Sequence, residues 1–141
     1  MYFWDTSAIL PILVHEPMSP VVESLARGDP ALAVWWATRT ECVSALARRA
    51  RDGALDVKSE TEARRVLSAL AGAWSEVLPT DPLRTTAERL LSVHTLRAAD
   101  ALQIAAALQW CRGNPSNAGF VCLDSRLRDA ARKEGFTVLP V

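Results

Sequence analysis

Tyr2-Phe3-Trp4-Asp5-Thr6-Ser7 reads as a short buried strand that stops at a carboxylate and hands over to two hydroxyl residues able to cap a helix. The same grammar returns near the other end of the chain. Phe120-Val121-Cys122-Leu123 is an apolar run entered from Gly119; it ends at Asp124, and Ser125 leads into a helical stretch from Arg126 to Glu134. In open α/β sheets, ligands bind outside the carboxyl ends of the strands, so both aspartates are placed for chemistry.

Working outward, apolar period and chain breakers predict strands at 2–5, 32–36, 75–78, 119–123 and 136–139. Helices are predicted at 6–14, 20–27, 40–52, 59–73, 82–93, 98–112 and 125–134, with Gly53 ending the third of them. Strands separated by helices imply right-handed crossovers and a mainly parallel sheet covered on both faces, which explains strands that are apolar without alternation. The expected fold is a three-layer α/β/α sandwich, and 141 residues, half of them hydrophobic, fit one domain spanning 1–141.

Glu41 and Asp100 open the helical segments Thr40 to Arg51 and Ala98 to Trp110, where the helix macrodipole favours negative charge. Helix-end stabilisation alone accounts for such positions. Their company makes them candidates for more: Glu41 is followed by Cys42, Val43, Leu46 and Ala47, and Asp100 by Leu102, Ile104, Ala105 and Leu108. Both helices therefore read as largely buried. With Asp5 and Asp124 they predict one acidic pocket. Two carboxylates about 5 Å apart repel by roughly 3 kcal/mol at an effective dielectric of about 20, so such a pocket needs a cation or protons. Oxygen donors select Mg²⁺ or Mn²⁺, with Asp5 and Asp100 the first ligand candidates and Asp124 the next.

The formal net charge is +0, so any nucleic-acid surface must be local. Lys58 and Lys133 are the only lysines among 16 basic residues; the rest are arginines, suited to bidentate phosphate contact but equally to pairing with carboxylates on solvated helix faces. Cys42, Cys111 and Cys122 sit in apolar contexts without disulfide or zinc spacing and read as buried free thiols. His15 and His94 lack a nucleophile or ligand pair. Trp35, Trp36 and Trp110 read as core or interface rather than base-stacking residues. MYFWDTS carries no secretory leader pattern and no run of about 18 apolar residues follows, so a cytoplasmic location is expected.

Four segments, MYFWDTSAIL, TRTECVSALARR, LRAADALQIAAAL and FVCLDSRLRDAARKEGF, occur in order along the chain. Together they resemble a PIN-domain protein, specifically the small VapC-type toxin ribonucleases, over essentially the whole chain. By position the resemblance makes Asp5 the family's first aspartate, Glu41 its helix-borne glutamate, Asp100 its second aspartate and Asp124 the aspartate after the fourth strand. Thr6 or Ser7 matches the polar residue that supports Asp5. The resemblance implies a metal-dependent endoribonuclease in which Asp5, Asp100 and Asp124 hold one or two Mg²⁺ or Mn²⁺ ions. Glu41 then acts on a metal-bound water as positioner or base, and products carry 5′-phosphate and 3′-hydroxyl ends. It also implies a small cognate antitoxin encoded next door and a homodimer, for which Ile12, Leu13 and Val22 offer apolar surface if they are not core. Arg97 and Arg126, beside the acidic positions, are the candidate RNA phosphate clamps.

One departure stands out. The family often has threonine or serine two residues before the last aspartate, where this chain has Cys122, a poor hydrogen-bond partner. Weaker tuning of the pocket, not inactivity, is expected. Two readings compete with the ribonuclease: a non-catalytic PIN-fold binding or regulatory module whose carboxylates only cap helices, and a DNA-directed nuclease of the same superfamily. A haloacid-dehalogenase-type phosphatase wants an aspartate where Ser7 stands. A receiver domain wants a late lysine outside the last helix, and Lys133 is inside it.

Overall fold

In the computed structural model, which describes residues 1–141, the chain runs β1 (Tyr2–Trp4), α1 (Thr6–Leu13), α2 (Ser19–Gly28), β2 (Leu32–Trp35), α3 (Thr38–Arg51) and α4 (Val57–Ala71). It continues β3 (Ser75–Val77), α5 (Asp81–Val93), α6 (Ala98–Trp110), a 3₁₀ turn (Pro115–Asn117), β4 (Gly119–Val121), α7 (Ser125–Lys133) and β5 (Thr137–Leu139). All five strands are parallel, in the order β3-β2-β1-β4-β5. From β1 the chain builds the sheet outward through β2 and β3, then returns to place β4 on the other side of β1. The direction of winding reverses between β1 and β4, and that reversal opens a crevice at their carboxyl ends.

Successive strand residues face opposite layers, and both layers are apolar. Phe3, Ala33, Trp35 and Phe120 join one core with Leu83, Leu90, Ile104 and Leu127 from α5, α6 and α7. Trp4, Leu32, Val34 and Val121 join the other with Ile9, Val22, Leu46 and Leu67 from α1 to α4. Phe3, Trp4 and Phe120 are completely buried, each contributing roughly 1.5–3 kcal/mol or more. Phe3 stacks on Phe120 with ring centroids 5.7 Å apart, and Trp110 closes on Phe3 at 6.0 Å. Gly119 is required where β4 passes β1, because a Cβ there would lie 2.4 Å from Cδ1 of Tyr2.

The three-layer sandwich expected from the sequence is the one observed, and the sheet is wholly rather than mainly parallel. Leu13 and Val22 are core residues, whereas Ile12 is only half-buried. No boundary moves by more than two residues; β4 ends at Val121 rather than 123, α4 at Ala71 rather than 73 and α6 at Trp110 rather than 112. α4 begins two residues before the predicted 59 because Asp56 caps it, accepting from Ser59 N at 2.7 Å. α3 begins at Thr38 rather than 40, and β2 ends at Trp35, leaving Trp36 in the turn between them. No helix is long and apolar enough to cross a membrane.

Candidate active site

Asp5 stands at the crevice because its own backbone bridges the two strands that form it: its N–H donates to Val121 O at 2.9 Å. Its side chain caps α1, with Oδ2 accepting from Ser7 N at 3.0 Å and from Ser7 Oγ at 2.5 Å. Ser7 Oγ also accepts from Leu123 N at 2.9 Å, so one hydroxyl ties the end of β1 to the segment leaving β4. Asp5 is only 5% exposed, and burial pushes its carboxyl above the usual carboxylate range even though Ser7 and Cys122 donate to it. Cys122 Sγ lies 3.6 Å from Asp5 Oδ2 and 3.6 Å from Ser7 Oγ, so the thiol occupies the place where a hydroxyl was expected and makes a weaker contact.

Thr6 faces a different set of partners. Its Oγ1 accepts from Gln103 Nε2 at 3.2 Å, and Gln103 Nε2 lies 3.5 Å from Thr38 Oγ1 and 3.4 Å from Glu41 Oε1. Gln103 is 1% exposed and its Oε1 has no partner. This amide joins α1, α3 and α6 under the carboxylates, and neither it nor Thr38 was singled out from the sequence. The signal was slight: one amide inside the apolar run from Ala101 to Ala107.

Glu41 is half-buried in the first turns of α3. Burial, and then the charge of Asp5, push its carboxyl up to about 7; Asp100 adds to the effect, while hydrogen bonds from Thr6 and Gln103 oppose it. Asp100 sits in the first turn of α6, where its Oδ2 accepts from Arg97 N at 3.1 Å. Asp124 is exposed and caps α7, its Oδ1 accepting from Leu127 N at 3.0 Å. The structure therefore gathers Asp5, Glu41 and Asp100 into one electrostatic neighbourhood. Asp124 stands at its rim, linked through Cys122, whose thiol is raised by burial and by both Asp5 and Asp124.

None of the four carboxylates pairs with a basic side chain. As they stand, no three His, Cys, Asp or Glu side chains are close enough to share one metal ion. The donor set nevertheless fits a hard divalent cation: it is all oxygen, its charge is uncompensated, and the free oxygens of Asp100 and Asp124 have no other partner. Such a cation keeps several waters when few carboxylates reach it directly.

Seven of the fourteen arginines pair with carboxylates, as exposed helix arginines commonly do. Arg97 and Arg126 are exposed and are not among them. Arg128 is structural, donating to Cys122 O at 2.6 Å, Leu139 O at 3.2 Å and Pro140 O at 2.7 Å, which pins the loop that carries Asp124. His94 Nε2 is 2.7 Å from Glu134 Oε1, and Arg89 pairs with the same carboxylate at 3.1 Å. Cys42 and Cys122 are buried free thiols, and Cys111 is partly exposed.

The architecture has close relatives among solved structures. The crystal structure of PAE2754 from Pyrobaculum aerophilum superposes with a TM-score of 0.68 at 20% identity, covering 98% of this chain and 88% of that one. FitAcB from Neisseria gonorrhoeae gives 0.69 at 20% identity over 99% and 97%. A toxin-antitoxin complex from Klebsiella pneumoniae gives 0.62 at 14% identity over 89% and 88%. At these identities the likeness is one of fold. No curated protein sequence matches the chain. The PIN domain family model, however, matches residues 2–133, from the first strand through the last helix and across all four acidic positions, so the chain belongs to the PIN-domain family.

Proposed function

We propose that this PIN-domain chain is a Mg²⁺- or Mn²⁺-dependent endoribonuclease and the toxin of a toxin-antitoxin pair, acting in the cytoplasm. One observation carries the reading: burial, Asp5 and Asp100 hold Glu41 at about 7, and no basic side chain compensates the group. Helix capping alone does not require carboxylates at two other helix starts to raise the proton affinity of Glu41. A site built to hold a cation against phosphate does.

Asp5 and Asp100, with Asp124 at the rim, are the residues to hold Mg²⁺ or Mn²⁺, which when bound would neutralise phosphate charge and acidify a water. Glu41, ionised once the pH passes about 7, is suited to orient the attacking water and accept its proton. Ser7 fixes the Asp5 carboxylate, and Arg97 and Arg126 are free to contact phosphates on either side. By the family resemblance, hydrolysis leaves 5′-phosphate and 3′-hydroxyl ends.

The Klebsiella neighbour is a toxin-antitoxin complex, which supports a small antitoxin as partner here; a homodimer of this chain is the assembly we expect. FitAB bound to a DNA fragment is another neighbour, at a TM-score of 0.65. That DNA belongs to that complex, and RNA is the substrate proposed for this chain.

The test is incubation of total RNA and single-stranded DNA with purified protein in Mg²⁺, Mn²⁺ or EDTA, beside Asp5→Asn. Metal-dependent cuts in RNA that are absent from the mutant are expected. Cuts confined to DNA would move the assignment to a DNA-directed nuclease, and no cuts in either would favour the binding-module reading.

Gln103→Leu separates support of the site from support of the fold. It removes the donor shared by Thr6, Thr38 and Glu41 together with an unsatisfied carbonyl, at similar volume. Cleavage is expected to fall roughly 10- to 100-fold, as for outer-shell partners of metal sites. The melting temperature should fall by no more than several degrees, because loss of the unsatisfied Gln103 carbonyl offsets part of the cost of leaving Thr6 and Thr38 without their donor. Rates and thermal denaturation measured together check this; a large loss of stability with an unchanged rate per folded molecule would make Gln103 purely structural.

A further inference from the structure

Trp36 is 52% exposed while its neighbour Trp35 is 5% exposed. An indole left in water at the end of a buried strand forgoes one of the largest apolar burials a side chain offers. Strand register fixes where it stands. Trp4 of β1 pairs with Val34 of β2, so Asp5 lies one residue, and Trp36 two residues, beyond a common level on adjacent parallel strands. Such strands run about 4.8 Å apart. Trp36 thus flanks Asp5 at the carboxyl end of the sheet and begins the turn that leads through Thr38 to Glu41.

The indole is also held in place. Its backbone N–H donates to Val77 O at 3.0 Å, and the ring of Trp35 packs edge-on against it with centroids 6.4 Å apart at 71°. Besides the carboxylates, two cations at helix starts are free: Arg39, in the first turn of α3, and Arg97, preceding α6, are both exposed and make no ion pair. Beside Trp35 a groove of about 480 Å³, lined by Pro79, Thr80, Asp81, Leu83, Arg84 and Leu102, follows the carboxyl ends of β2 and β3, with Arg84 paired to Asp81.

We propose that Trp36 is a base-stacking platform, which takes an unpaired nucleobase flanking the phosphodiester presented to Asp5, Glu41 and Asp100. The inference rests on the nuclease reading and deepens it, since it defines the substrate as single-stranded nucleic acid with an unstacked base beside the cut. A duplex buries its base faces and offers the indole nothing, whereas an unpaired base of any identity has a free π-face. Arg39 and Arg97 supply the bidentate donors that phosphates on either side of that base require. Stacking tolerates every base, so sequence preference at this position comes from stacking strength.

The experiment is equilibrium binding in Mg²⁺ of the Asp5→Asn protein, which does not consume its ligand, to a labelled single-stranded RNA of mixed sequence. The same RNA annealed to its complement is the control. Adding Trp36→Ala is expected to weaken single-strand binding about 5- to 150-fold, the range that loss of one aromatic stack gives. Trp36→Leu should weaken it comparably, Trp36→Phe should retain most of it, and the duplex should bind weakly throughout. Circular dichroism of each variant separates a lost contact from a lost fold. Undiminished binding by Trp36→Ala, or equal binding by Trp36→Leu and Trp36, overturns the stacking platform while leaving the nuclease intact. Failure of Asp5→Asn to bind either RNA, together with no cleavage of either by the unsubstituted protein in Mg²⁺, overturns both. Undiminished RNA binding by Trp36→Ala, with loss of binding to the chain's antitoxin, would assign the indole to a protein partner and also overturn the proposal.

Discussion

Asp5→Asn is expected to abolish metal-dependent cleavage, with a loss on the order of 10³-fold or more, and to leave the fold intact. The two halves of this result have separate causes. Asparagine is as good a helix N-cap as aspartate, and its carbonyl can keep the bonds from Ser7 N and Ser7 Oγ that now reach Oδ2 at 3.0 and 2.5 Å. The backbone bridge from Asp5 N to Val121 O is untouched. What disappears is one negative charge at a site only 5% exposed, where burial already works against that charge. Without a metal the variant should therefore melt no lower than the parent. With Mg²⁺ or Mn²⁺ it should lose the stabilisation that binding to the native state confers. Catalytically, the metal's stabilisation of transition-state charge is worth several kcal/mol, which sets the expected loss in rate. Full activity in Asp5→Asn would remove Asp5 from the metal site. A variant that unfolds would show that the charge itself, and not only the cap that asparagine preserves, holds the fold.

Much of this is legible in the sequence alone because the informative signals are local. A strand followed by Asp-Thr-Ser announces its own end, and Asp5 and Asp124 both cap the helices that the sequence predicts, although β4 stops at Val121, short of Asp124. The order of apolar runs and breakers was enough for the sandwich, since strands buried on both faces need helices on both faces. What the sequence could not supply was contact over distance. Gln103 meets Thr6 across 97 positions and Thr38 across 65, and an isolated amide on an apolar helix carries no local mark of either meeting. Nothing local sets Arg128 apart from the other arginines, yet it spends its guanidinium on three carbonyls, because the chain end after β5 returns alongside it. Trp36 was grouped with Trp35 and Trp110 as core or interface; only the one-residue difference in where β2 ends separates the exposed indole from the buried one.

The difference between Asp124 and the other three carboxylates has the same origin. All four occupy helix starts, but Asp5 and Glu41 open helices that pack into the α1–α4 layer, and Asp100 opens one buried in the opposite layer. Asp124 opens α7, on the far side of the crevice, and remains exposed. Position along the chain revealed which residues end strands or begin helices. How deeply each becomes buried depended on which helices cover the crevice.

Glu41→Gln is expected to cost on the order of 10²- to 10⁴-fold in cleavage, the usual contribution of a positioned base, while making the metal-free protein more stable at neutral pH. The sign follows from proton binding. Below pH 4.5 the carboxyl is protonated in folded and unfolded chains alike. Between 4.5 and about 7 the unfolded chain has released its proton while the folded one retains it. Stability present at the acid end is therefore lost as the pH rises to about 7, after which the loss is complete. Glu41 is partly open to solvent, so screening reduces the full conversion of that shift to about 1–2 kcal/mol. Glutamine can still bond Gln103 and Thr6 but has no charge for Asp5 and Asp100 to oppose, so its stability profile should be flatter across this window. A bound divalent cation opposes the same repulsion by another route. Mn²⁺ should raise the parent's melting temperature more at pH 7.5 than at pH 5, where protons already occupy Glu41. Thermal denaturation at both pH values, with and without Mn²⁺, measures all three effects. Equal slopes in parent and variant would show that Glu41 is not the titrating group, and an undiminished cleavage rate in Glu41→Gln would take from it the role of base.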